Sequence, residues 1–267
     1  MSIARKICQH VSRLSLVDRH VYTAKHGPAR GLKRQGGLGW LPEFVPRLHE
    51  WEAEEAFISS LDLTGLTVYD VGGDQGLFTL FFAERVGDGG QVVVFEPNPT
   101  SCERIHRNVG HNGFRNVQVL QVGLGEQRKV MRFAFPTLEP SRGTFCPDDR
   151  PTGELQKKTT WLNIGVAPID DEVKRRNLPA PDFIKLDVEG MEYSALKGMG
   201  QTLRVYHPRL SIEMHGQTVE AKKDNARRVV KLLEALAYRI RNIESGEIVT
   251  SENGDRAFEG HLYCEPG

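Results

Sequence analysis

Five residues in the stretch VYDVGGDQGLFTL, residues 68–80, have types and spacing suited to holding a ligand: Asp70, Gly72, Gly73, Asp74 and Gly76. A sixth, Glu96, follows twenty positions after the last of those glycines, at the end of the run QVVVFE. An apolar run ending in an acid and then in glycines reads as a strand, a tight turn and a helix start. That arrangement puts backbone amides above the carboxyl edge of a sheet, where open α/β folds bind ligands. The dinucleotide pattern G-x-G-x-x-G fails, because position 74 is Asp and position 77 is Leu. Two carboxylates would also repel a pyrophosphate and favour a cation. An acid closing the second strand is placed to accept both hydroxyls of a ribose.

A positively charged nucleoside meets all of these demands, and S-adenosylmethionine carries both a sulfonium and an ammonium. The chemistry it would support is methyl transfer, in which orientation of the reactants supplies much of the rate. A second group of polar residues lies further along. DFIKLDV ends in Asp187 with Glu189 beyond it, and LSIEM contains Glu213 with His215 after it. In a parallel sheet these strand ends lie beside the glycine turn. Asp187 is assigned to the cofactor's methionine moiety, and Glu189 or His215 to the acceptor as base. Imidazole titrates near neutrality, so His215 is the more attractive base. The same four residues have the oxygen and imidazole chemistry for a divalent cation. Strand-end acids are common without one, and no metal is expected. Leu124, in the turn VGLGE, and Asn98 are expected to flank the adenine.

The elements that must position these residues alternate along the chain. Apolar runs at 66–71, 91–96, 116–122, 182–188 and 209–214 read as strands, and helical patterns fill 77–86, 99–110, 193–199 and 220–238. Asn98 and Pro99 form a helix-start signal. Consecutive apolar residues in the strands indicate a sheet covered on both faces, hence an α/β, doubly wound, mostly parallel sheet. Phe78, Phe81 and Phe82 read as core. YRIRNI and HLYCE are expected to form an antiparallel C-terminal edge pair. An insertion beginning with the strand-like KVMRFAF has a Pro-, Gly- and charge-rich middle at about 136–160, the candidate for shaping an acceptor pocket.

With these residues in view, the chain resembles the FkbM family of class I S-adenosylmethionine-dependent methyltransferases. The resemblance rests on VYDVGGDQGLFTL, VVVFEPNP, WLNIGVAPIDDEV, DFIKLDVEGMEYSALKG and LSIEMHG, spanning roughly residues 50–216. It implies a seven-stranded sheet with the last strand antiparallel. It also implies O-methylation of a small-molecule acceptor, a sugar or polyketide-like hydroxyl. The family usually has Asn where this chain has Asp74. A nicotinamide-dependent oxidoreductase is the alternative, as is a non-catalytic cofactor-binding regulatory subunit.

Residues 1–36 carry eight Lys or Arg against one acid, and Ile3, Ile7, Val11, Leu14, Val17 and Val21 recur at helical spacing. Residues 1–45 therefore read as a basic helix and a Gly-rich connection, and 46–267 as the methyltransferase domain. The whole chain has 35 basic and 35 acidic residues, so bulk charge names no partner. No nucleic acid is expected, since the amino-methylase motif N-P-P-[YF] is absent. Four scattered cysteines without a C-x-x-C pair suggest neither a disulfide framework nor a zinc site. No apolar run is long enough to span a membrane, so the expected location is cytoplasmic.

Overall fold

The computed structural model describes residues 20–36, 53–136, 143–145, 159–258 and 260–267. Residues 1–19, which hold most of the expected N-terminal helix, and most of the 136–160 stretch lie outside the described residues. Val21, placed on that helix's apolar stripe by its spacing, instead sits in β1 (Val21–Thr23), paired antiparallel with β2 (Lys33–Gln35). Tertiary pairing overrides the local period here. Tyr22 is buried, and its hydroxyl donates to the Gly36 carbonyl at 2.9 Å.

α1 (Ala53–Ser59) leads into β3 (Thr67–Val71), α2 (Leu77–Val86), β4 (Gln91–Phe95), α3 (Pro99–Asn112) and β5 (Val117–Leu120). The Asn98 carboxamide caps α3 by accepting from the Thr100 amide at 3.0 Å. α3 in turn seats β2, because the Gln35 amide donates to Asn108 at 2.7 Å. Alternate strand residues feed two cores. Val68, Val92 and Val94 join Phe81, Phe82, Ile105 and Phe183 on one face. Tyr69, Val71, Val93 and Phe95 join Ile184, Leu196, Leu203 and Leu233 on the other. A strand buried on both sides has no polar positions to alternate, which is why these runs are continuously apolar.

The chain then builds β6 (Gly123–Leu124), β7 (Lys129–Pro136), β8 (Thr144–Phe145) and β9 (Thr159–Ala167). They form a second sheet, ordered β6-β9-β7-β8. Next come α4 (Ile169–Arg176), β10 (Phe183–Leu186), α5 (Glu192–Lys197), α6 (Gly200–Tyr206), β11 (Arg209–Glu213) and α7 (Val219–Glu234). The chain closes with β12 (Tyr238–Asn242), β13 (Ile248–Val249) and β14 (His261–Pro266).

The main sheet runs β13-β12-β14-β11-β10-β3-β4-β5. β5, β4, β3, β10 and β11 are parallel, and β14 is antiparallel to both β11 and β12. The expected antiparallel pair is thus β12 with β14, but the last strand lies inside the sheet and a two-residue eighth strand, β13, forms the edge. Burial explains the order: β14 is buried at four consecutive positions, whereas β12 alternates buried and exposed. Strand order reverses between β3 and β10, the kind of switch point at which such sheets open a crevice. Among the described residues, no helix is long and apolar enough to cross a membrane.

Candidate active site

At the switch point the ends of β3 and β10 stand side by side, with Val71 opposite Leu186. Asp70 is buried beneath the turn, where its Oδ2 accepts from Thr79 Oγ1 of α2 at 2.5 Å. Burial pushes its pKa up to about 6 despite the nearby Lys185 ammonium. Gly72, at φ 86°, lies so close to the Asp187 carbonyl that a Cβ would overlap it. Gly73 and Gly76 pack under the turn against Val94 and Ile105. The Asp74 amide donates to Glu96 Oε2 at 2.9 Å, and the Asn98 amide donates to Oε1 at 2.8 Å. Two backbone donors therefore fix the Glu96 carboxyl at the end of β4. Burial pushes Glu96 up to about 8 and Asp74 up to about 7. Asp74 Oδ1 is buried without a hydrogen-bond partner among the described residues.

These groups border a crevice of about 270 Å³, lined by Gly72, Asp74, Glu96, Leu124, Asp187 and Glu189 among others. Of the polar and glycine residues singled out from the sequence, Asp70, Gly73, Gly76, Asn98, Glu213 and His215 do not line it. Asp70 and the two glycines shape the turn from below. Asn98, expected beside the adenine, is buried with its carboxamide on the helix cap; its neighbour Pro97 borders the crevice instead. Val188, Phe133, Thr144 and Phe145 also line it. Val188 is one position from a residue already named; Phe133, Thr144 and Phe145 come from β7 and β8 of the second sheet, within the insertion expected to shape a pocket, but none was singled out by residue. The donor set fits the expected sulfonium nucleoside. Glu96 and the orphaned Asp74 oxygen can accept from ribose hydroxyls, and the glycine turn leaves room for close approach.

A model of the methyltransferase FkbM domain matches residues 70–240. The chain belongs to the FkbM methyltransferase family. It is 26% identical over 144 residues to "Methyltransferase 1" of Beauveria bassiana, covering 49% of this chain and 57% of that protein. It is 27% identical over 139 residues to the hexuronic acid methyltransferase AglP of Haloferax volcanii, 51% of each. The chain thus spans between half and three-fifths of the length of the curated relatives it matches. A crystal structure of methyltransferase FkbM from Methylobacillus flagellatus KT aligns at TM-score 0.48 and 22% identity, over 77% of this chain and 45% of that one. Membership of a methyltransferase family overturns the nicotinamide-dependent oxidoreductase alternative.

Behind the crevice, this FkbM-family chain carries an ionic network that joins α1, β10, β11, α5 and β14. Buried Lys185 reaches Asp187 Oδ2 at 3.2 Å and Glu54 of α1 at 3.8 Å. His215 Nδ1 lies 3.1 Å from Glu192 Oε1, and Nε2 lies 3.2 Å from Glu213 Oε1. Asp187 and Glu189 each stand 4.0 Å from the ring. Against the desolvation that would lower it, the hydrogen bonds to Glu192 and Glu213 and the charges of Glu189 and Asp187 raise the His215 pKa to about 11. That shift favours the protonated ring near neutral pH, a form suited to holding carboxylates rather than to accepting a proton. Asp187, Glu189 and Glu213 are the partners expected from their strand-end positions, whereas Glu192 of α5 carries no such signal.

The network has a consequence for stability. Folding raises Glu96 to about 8, Asp74 to about 7, His261 to about 9 and His215 to about 11. Between pH 6 and 8 the folded chain therefore keeps protons that the unfolded chain releases. Stability falls as pH rises wherever the folded state binds more protons, by about 1.4 kcal/mol per proton per pH unit. Urea unfolding is expected to give a stability lower at pH 8 than at pH 6 by on the order of 2 kcal/mol or more. Glu96→Gln should show a shallower slope. A stability that is flat or rises over this range would contradict the assignment.

Proposed function

We propose that this chain transfers the methyl group of S-adenosylmethionine to a hydroxyl of a small glycan-like or secondary-metabolite acceptor, with Glu189 as the base. When bound, the cofactor supplies a methyl made electrophilic by its sulfonium. The chain's residues bind, orient and deprotonate. Glu96, clamped by two amides, and Asp74 receive the ribose hydroxyls. Asp187, fixed by Lys185, faces the amino-acid portion.

One observation carries the assignment of the base. Glu189 sits in the turn after β10 at φ 51°, a left-handed conformation unusual for a side chain of its size, and it lines the crevice. Its side chain is 46% exposed, so an acceptor can reach it. Partial burial raises its pKa from the ordinary carboxylate value, with the His215 charge pulling the other way. A carboxylate shifted towards neutrality is a stronger proton acceptor than an unperturbed one. Glu189 then takes the hydroxyl proton, which makes the acceptor oxygen nucleophilic. A relative named for hexuronic acid supports glycan-type acceptors.

The test is a panel of sugars, uronosides and polyketide-like alcohols incubated with S-adenosylmethionine and read by mass spectrometry and NMR. A gain of one methyl on oxygen is expected. Methylation on nitrogen or carbon would overturn the reading. Cofactor binding without product from any acceptor would favour the regulatory-subunit alternative.

A further inference from the structure

We propose that β8 is a roof over the purine end of the cofactor site, with Phe145 supplying an aromatic contact to the base. This rests on the S-adenosylmethionine reading. β8 is held by pairing with β7, Phe133 opposite Phe145, and their rings meet edge to face at 5.0 Å between centroids. Both rings line the crevice. The two residues of β8 reach both of its ends. Thr144 Oγ1 donates to the Glu189 carbonyl at 3.3 Å. The Phe145 ring lies against the backbone of Gly123, where an added Cβ would come within 2.5 Å of Cζ. A side chain at position 123 would push the roof away, so that close approach needs glycine.

The chemistry of the ligand decides what lies beneath Phe145. A ribose carries its base on C1′ and its sulfur-bearing arm on C4′, at opposite edges of the ring. With the hydroxyls on Glu96 and the sulfur arm towards Gly72 and Asp187, the purine is directed to the other end, at Gly123 and Leu124. The acceptor must meet the methyl near Asp187 and Glu189, away from Gly123. Phe145 therefore belongs to the nucleoside, and an aromatic ring against a purine gains stacking energy beyond simple burial.

The test uses calorimetry with S-adenosylhomocysteine and with adenosine alone. Phe145→Leu keeps the apolar volume and removes the ring; it is expected to weaken both ligands roughly three- to tenfold. The acceptor KM at saturating cofactor should stay unchanged. Phe145→Tyr keeps the ring and is expected to bind both ligands within twofold of wild type. Unchanged affinities in Phe145→Leu, an equal loss in Phe145→Tyr, or a rise confined to the acceptor KM would each overturn the proposal. If the unaltered protein bound neither S-adenosylmethionine nor S-adenosylhomocysteine, the cofactor reading itself would fail, and the roof with it.

Discussion

Replacing Glu189 by Gln is expected to lower kcat by ~10²- to 10⁴-fold, the usual contribution of a positioned base, while leaving the Kd for S-adenosylmethionine within about twofold. Glutamine keeps the volume and one acceptor oxygen, so the crevice keeps its shape and only proton acceptance is lost. The pH profile separates Glu189 from its neighbour. In the wild type, kcat should rise with pH as Glu189 ionises, with a midpoint above the ordinary carboxylate range because burial raises its pKa. The His215 imidazolium lowers that same pKa. His215→Gln should therefore keep the rising limb but move it to higher pH. Should the limb vanish in His215→Gln and persist in Glu189→Gln, the base would be the histidine after all.

That contrast shows what the sequence carried and what it could not. Strands and helices of the main sheet were legible because they are fixed by period and by local signals: α2 has the bounds expected from its pattern, and Asn98 and Pro99 open α3 as read. The crevice residues Gly72, Asp74, Glu96, Asp187 and Glu189 were legible because parallel strands bring their carboxyl ends to one edge. The protonation state of His215 was not. It depends on Glu192, whose side chain also accepts from Asn225 of α7 at 2.5 Å, and on Glu213, which His261 of β14 approaches at 3.6 Å. Those contacts join positions tens of residues apart. The β8 roof was hidden for a different reason. Two residues within a stretch rich in Pro, Gly and charge have no period of their own, and their place is set by pairing with β7. Position 74 marks a further limit: its charge beside the turn is readable from the sequence, but a buried oxygen with no partner among the described residues is a property of the fold.

Gly72→Ala is expected to be the most damaging single substitution in the turn. Two effects add. An alanine at φ 86° adopts the left-handed region at a cost of roughly 1–2 kcal/mol. Its Cβ would also overlap the Asp187 carbonyl, and neither backbone can yield easily. The Gly72 amide donates to the Phe95 carbonyl at 2.8 Å, and the Asp187 amide donates to the Val71 carbonyl at 2.9 Å. Moving either one loosens β3 from β4 or β10 from β3. Overpacking of this kind adds roughly 1–3 kcal/mol, so the total is roughly 2–5 kcal/mol. Gly113→Ala isolates the first effect, because Gly113 at the end of α3 is left-handed, at φ 71° and ψ 16°, but a Cβ there meets nothing within 4 Å. Urea unfolding should place Gly113→Ala below wild type by roughly 1–2 kcal/mol and Gly72→Ala well below both. Cofactor affinity should fall at least tenfold in Gly72→Ala alone. Equal destabilisation in the two variants, with cofactor affinity retained in both, would mean that contact between the turn and Asp187 does not build the site.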